Sequence, residues 1–106
     1  MSEPVYQPLA EVTDVEPGEG MRCVVGGKAI ALFNVDGQFH AIDDRCSHGE
    51  ASLADGWLEG CEIECPLHQG RFDVTNGKAT AAPCVEDVSS YPIRIEAGRV
   101  FVAVPV

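Results

Sequence analysis

A chain of 106 residues with 45% apolar content has room for one modest core and for no second, catalytic domain. Seventeen acidic residues against seven basic ones give a formal charge of −10, which repels nucleic-acid phosphates and anionic lipid, so neither nucleic acid nor a membrane is expected as a partner. The same charge fits a basic protein partner or plain solubility, and net charge alone does not choose between them.

The chain opens on MSEPVYQPLAEV, with neither the basic nor the apolar region of a signal peptide. No apolar run approaches the ~20 residues of a membrane span. Five cysteines cannot all pair with one another. Together these features predict a cytoplasmic protein, and a monomer is expected.

Short β-rich runs separated by turn dipeptides then follow. Gly26-Gly27 closes Met21–Val25, Asp36-Gly37 separates Ala29–Val35 from Gln38–Ile42, and Asn76-Gly77 follows Arg71–Thr75. Ala97-Gly98 joins Tyr91–Glu96 to Arg99–Val104. Such pairs accept the positive φ values of tight hairpins. Tyr91, Ile93 and Ile95 alternate with polar residues or proline, and Val100, Val102 and Val104 repeat the period on the return. Pro92 argues for an edge position or a strand start. Ala51–Leu53 has room for one short turn at most. No window carries helical periodicity, so the expectation is an all-β fold: a small antiparallel sandwich or barrel.

Between Asp43 and Gly70 the rhythm breaks into a Gly-rich irregular stretch with one strand candidate, Cys61–Glu64. Such stretches inside a compact fold usually carry function. This one holds two matched clips, Cys46-Ser47-His48 and Cys65-Pro66-Leu67-His68, with sixteen residues between His48 and Cys65. Each offers one thiolate and one imidazole, both ligands for iron or zinc. Zinc fingers place Cys with Cys and His with His; here each clip mixes the two, an arrangement suited to a binuclear centre.

With its flanks DDRCSHGEASLADG and IECPLHQGRFDVTNGKA, the pair resembles the Rieske motif, and the resemblance runs over nearly the whole chain. It is most similar to the soluble ferredoxins of bacterial aromatic-ring-hydroxylating dioxygenase systems. The resemblance implies a Rieske fold spanning 1–106, with the ligand loops within about 43–72. It implies one [2Fe–2S] cluster, its inner iron held by Cys46 and Cys65 and its outer iron by His48 and His68. It implies an electron carrier, not an enzyme, fed by a flavin-dependent ferredoxin reductase and emptied by a terminal oxygenase. The alternative is the small Rieske-like subunit of a nitrite reductase, which often lacks the ligands that this chain has. An oxygen-activating iron site would need two more histidines and a carboxylate, and only His40 remains. In high-potential members two further cysteines cross-link the loops, and a Ser and a Tyr donate to sulfur; the matching positions here are Ala51, Leu67, Gly70 and Phe72.

Outside the clips, Cys23, Cys61 and Cys84 read as small buried hydrophobes. Trp57 reads as a packing residue beneath the loops, and His40 as an ordinary strand position. Arg45 either tunes the centre or pairs with Asp43 or Asp44. Asp43, Asp44, Glu50, Asp55, Glu59, Glu62 and Glu64 are expected to make the clip region acidic.

Overall fold

A computed structural model describes residues 5–47, 50–66, 70–82 and 86–104. Its strands are β1 (Val5–Glu11), β2 (Gly20–Val25), β3 (Lys28–Val35), β4 (Gln38–Asp43), β5 (Trp57–Glu59), β6 (Glu62–Glu64), β7 (Arg71–Asp73), β8 (Ala79–Ala81), β9 (Ser90–Tyr91), β10 (Ile93–Glu96) and β11 (Arg99–Val104). Three antiparallel sheets result, ordered β1-β11-β10, β2-β3-β4-β9 and β5-β6-β7-β8. The only helical elements among the described residues are 3₁₀ turns at Val12–Asp14 and Leu53–Asp55. The all-β expectation holds.

The middle sheet is a wall between two cores. Along β3, Ile30 and Leu32 face one way, into a core with Val15, Val100, Val102 and Val104. Ala31 and Phe33 face the other way, into a core with Leu53, Ile63, Phe72 and Val74. Strand β4 repeats the division, with Ala41 in the first core and Ile42 in the second. A strand buried on both faces must be apolar without interruption, as Ala29–Phe33 is. Its buried polar residue, Asn34, is satisfied: its amide donates to the Val15 carbonyl at 2.8 Å and its Oδ1 accepts from Gly37 N–H at 2.7 Å.

The hairpin turns fall where the dipeptides place them. Asp36-Gly37 and Ala97-Gly98 both have positive φ at both positions, 50° and 92°, then 52° and 76°. This is the primed-turn geometry whose twist matches the flanking strands.

Three expectations are corrected. Tyr91–Glu96 is not one strand: Tyr91 lies opposite Ala41 in the middle sheet, whereas Ile93 lies opposite Val102 in the outer one. Pro92, which has no N–H to give a ladder, marks the crossing, and its carbonyl accepts from Ala103 N–H at 3.1 Å. Ile95 is consequently exposed on edge strand β10 despite its alternating pattern. Strand β1 was not anticipated, because Pro8 and a register shift between Pro8 and Ala10 blur its period. Strands β5 and β8 have three residues each, too few to carry a periodic signal.

Gly56 is required by close approach. A Cβ there would lie 2.0 Å from the Glu64 carbonyl oxygen, where two backbone segments meet and neither can rotate away. Gly56→Ala should therefore cost about 2 kcal/mol, in the range of overpacked cores. Chemical denaturation should show a lower midpoint with an unchanged slope.

Candidate metal centre

Both cysteines stand at the head of a loop closed in the same way. Cys46 N–H donates to the Ala51 carbonyl at 3.0 Å, and Cys65 N–H donates to the Gly70 carbonyl at 2.7 Å. Each bond spans five residues and bends the chain back just beyond the thiol. The second loop is the tip of the β6–β7 hairpin, between Glu64 and Arg71. The first rests on a single antiparallel bridge, Arg45 to Ser52, and hangs on Asp44. This carboxylate is 3% exposed, accepts from Ser52 Oγ at 2.8 Å and from Ala54 N–H at 3.0 Å, and lies 3.4 Å from Arg22 Nε. Its backbone is bound on both sides as well, N–H to Ala29 at 3.1 Å and carbonyl from Leu53 at 2.7 Å.

Cys46 and Cys65 are 1% and 0% exposed and belong to the same core. Two buried thiols in one apolar setting fit the sulfur side of an iron–sulfur site, where thiolates bind one iron and the surrounding apolar shell limits water. His48 and His68 lie outside the described residues, as do Gly49, Leu67 and Cys84.

A third segment braces the first loop. Ser47 Oγ donates to the Glu86 carbonyl at 2.6 Å. Beyond it Val88 N–H donates to Gly77 at 2.8 Å, and Ser89 N–H donates to Asp43 Oδ2 at 3.0 Å.

The Rieske [2Fe-2S] domain model matches residues 5–92. The chain belongs to the Rieske [2Fe-2S] domain family. The ferredoxin component of a naphthalene 1,2-dioxygenase system from Pseudomonas putida is 48% identical over 91 residues, 86% of this chain and 88% of that one. A ferredoxin from Sphingomonas yanoikuyae B1 superposes with a TM-score of 0.90 at 39% identity, covering 95% of this chain and all of that one. A ferredoxin solved in complex with the oxygenase of a carbazole 1,9a-dioxygenase superposes at 0.87 and 35% identity, covering 95% of this chain and 94% of that one. Within the Rieske family the branch is that of the ferredoxins of aromatic-ring dioxygenase systems, electron-transfer components that carry a [2Fe–2S] cluster.

Several residues fall differently from their sequence reading. Cys23 is buried, but Cys61 is exposed in the β5–β6 turn. Trp57 does not pack beneath the loops; it is 62% exposed. Arg45 pairs with Glu50 at 3.5 Å rather than with Asp43 or Asp44. Of the seven acidic residues, Asp44 is internal, and Glu59, Glu62 and Glu64 gather round Arg71 at 3.1–3.4 Å. Glu50 and Asp55 remain exposed. His40 is a half-buried residue of β4, as expected. Asp44 and Ser47, which hold the first loop, were missed as structural residues; an aspartate at a strand end carries no sequence sign of burial.

Asp43 also ties β4 to β9. Tyr91 Oη donates to Asp43 Oδ1, and Lys28 Nζ lies 3.5 Å from the same carboxylate. Burial, with the bond to Asp43, pushes the Tyr91 phenol above its ordinary value, partly opposed by Lys28. The Tyr91 hydroxyl and the Asp43 charge push the Lys28 ammonium upward. Both groups hold their protons more tightly folded than unfolded, so the stability they contribute is full below about pH 10. It is lost as pH rises through the folded values. Thermal melts from about pH 9 to 12 should fall more steeply for wild type than for Tyr91→Phe, which costs about 1 kcal/mol at neutral pH through its lost hydrogen bond.

Proposed function

We propose that Cys46 and Cys65 bind one iron of a single [2Fe–2S] cluster and that His48 and His68 bind the other, in one domain spanning 1–106 with its ligand loops inside 43–72. The observation that carries this assignment is the pair of buried thiols, each opening a loop closed by its own five-residue hydrogen bond. The bound cluster supplies a reversible one-electron exchange. The chain's residues do the rest. Asp44, Ser47 and the β6–β7 hairpin fix the ligand loops, and Leu53, Ile63 and Phe72 keep water from the thiolates.

In this reading a flavin-dependent ferredoxin reductase delivers single electrons and the terminal oxygenase of an aromatic-ring dioxygenase system accepts them. The carbazole dioxygenase ferredoxin, captured with its oxygenase, supports the second partner. The reading keeps the cytoplasmic monomer that the sequence predicts. No helix among the described residues is long and apolar enough to cross a membrane.

The ligand set also sets the expected potential. Two thiolates and two neutral imidazoles leave the oxidised site uncharged, whereas four thiolates would make it −2, so an electron enters more easily than in plant-type ferredoxins. Hydrogen bonds to sulfur stabilise the reduced, more negative state. Gly70 and Phe72 carry no hydroxyl to make them. A redox titration should place the midpoint below zero, near the lower end of the range of about −150 to +300 mV for Rieske centres.

Purified protein should be red-brown, with equal iron and acid-labile sulfide. Cys46→Ser or Cys65→Ser should abolish the Rieske EPR signal, and His48→Cys should alter its g-values by changing the ligand field on one iron. A colourless protein with stoichiometric zinc would overturn the assignment.

A further inference from the structure

The third sheet has two very different faces. Its inner face is Leu58, Ile63 and Phe72, which pack with the core that holds the two thiols. Its outer face follows from the register. Trp57 lies opposite Glu64, Glu59 opposite Glu62, Glu64 opposite Arg71 and Glu62 opposite Asp73. Directly opposed residues share a face, and so do residues two apart along a strand. These six side chains therefore form one surface. It carries four carboxylates against one guanidinium, a formal −3.

That surface is held in shape. Arg71 reaches Glu59 at 3.3 Å, Glu62 at 3.4 Å and Glu64 at 3.1 Å, so three carboxylates converge on one planar fork from three positions. Beside them Trp57, 62% exposed, presents the largest apolar side chain on the described surface. A single exposed hydrophobe is ordinary. Here it stands in the cross-strand row Trp57–Glu64–Arg71, the last rung of the sheet before the second ligand loop: Glu64 precedes Cys65, and Arg71 follows Gly70. Pro66, two residues beyond Glu64 in that loop, is exposed.

We propose that this outer face is the docking surface for the terminal oxygenase, with Trp57 as its apolar anchor. The complementary surface on the oxygenase is an apolar recess with a basic rim. The inference rests on the electron-carrier reading above. The sign of the face selects a basic partner and raises the encounter rate, while a buried Trp supplies lifetime, which rim charges supply poorly. The oxygenase is chosen because a related ferredoxin forms a complex with its oxygenase stable enough to be solved. The face also adjoins the loop from which an electron would leave.

The test uses holoprotein with the oxygenase of the Pseudomonas putida naphthalene 1,2-dioxygenase system as probe. Stopped-flow oxidation of the reduced ferredoxin and calorimetric titration would be run across a salt series. Trp57→Ala should weaken binding about tenfold at every salt concentration. Glu59→Gln should slow association at low salt and converge with wild type at high salt. Midpoint potential, EPR spectrum and reduction by the flavin reductase should be unchanged in both variants. Wild-type binding and transfer preserved in Trp57→Ala would overturn the inference alone. So would a shifted potential, or a defect confined to the reductase step. No transfer by wild type would overturn the carrier reading, and the inference with it.

Discussion

Strand β3 has no solvent face, and the rest of the structure is arranged around that fact. Its side chains alternate between two cores, so every residue from Ile30 to Phe33 is fully buried. Burying one large apolar side chain contributes about 1.5–3 kcal/mol, and here the gain is split between two packing partners. Sheet β1-β11-β10 covers one side, and sheet β5-β6-β7-β8 covers the other. The thiols of Cys46 and Cys65 sit in the second core, so the proposed metal centre would be an extension of the hydrophobic packing of β3 and not an attachment to its surface.

Polar contacts then decide where the loops lie. A loop of five or six residues cannot bury enough apolar area to hold its own shape. The second loop borrows rigidity from the β6–β7 ladder. The first borrows it from a buried carboxylate, since Asp44 gathers Ser52, Ala54 and Arg22 on one side chain. Removing such an acceptor leaves buried donors unsatisfied, which costs more than the bonds themselves contribute. The neighbouring Asp43 does the corresponding work on the middle sheet, binding Ser89 and Tyr91. Two consecutive aspartates thus serve two different layers, because successive residues at a strand end point in opposite directions.

Much of this was legible in the sequence, for reasons that differ by element. The turns were readable because Asp36-Gly37 and Ala97-Gly98 occupy backbone conformations that few residue pairs accept. The ligand pattern stands out because Cys-x-His and Cys-x-x-His mix two ligand types at fixed spacing; the structure places Cys46 and Cys65 in one core, and His48 and His68 lie outside the described residues. Burial was less so. Trp57 has the chemistry of an interior residue, and Cys61 has that chemistry within a strand-like run, yet both lie on or beside β5, the edge strand of its sheet, where side chains need not turn inward. Pro92 announced an irregularity but not its kind. A single missing N–H signals an edge, while transfer of the chain from one sheet to another depends on what lies opposite. Asp44 gave no signal because its burial is compensated by partners eight and ten residues onward, and by Arg22 far upstream in the chain.

Strand β11 follows both loops in the chain, and its register sets Val104 against Val5 and Arg99 against Glu11. Through Val100, Val102 and Val104 it roofs the side of β3 that faces away from the thiols. A chain that lacks its final strand would leave Ile30 and Leu32 open to water while every residue of the ligand loops was still in place. The proposed iron site would therefore depend on β11 as well as on its own loops. The wall on which the thiols rest is finished only when Arg99–Val104 closes over its back, so a truncation before Arg99 would keep every proposed ligand and remove the support behind them.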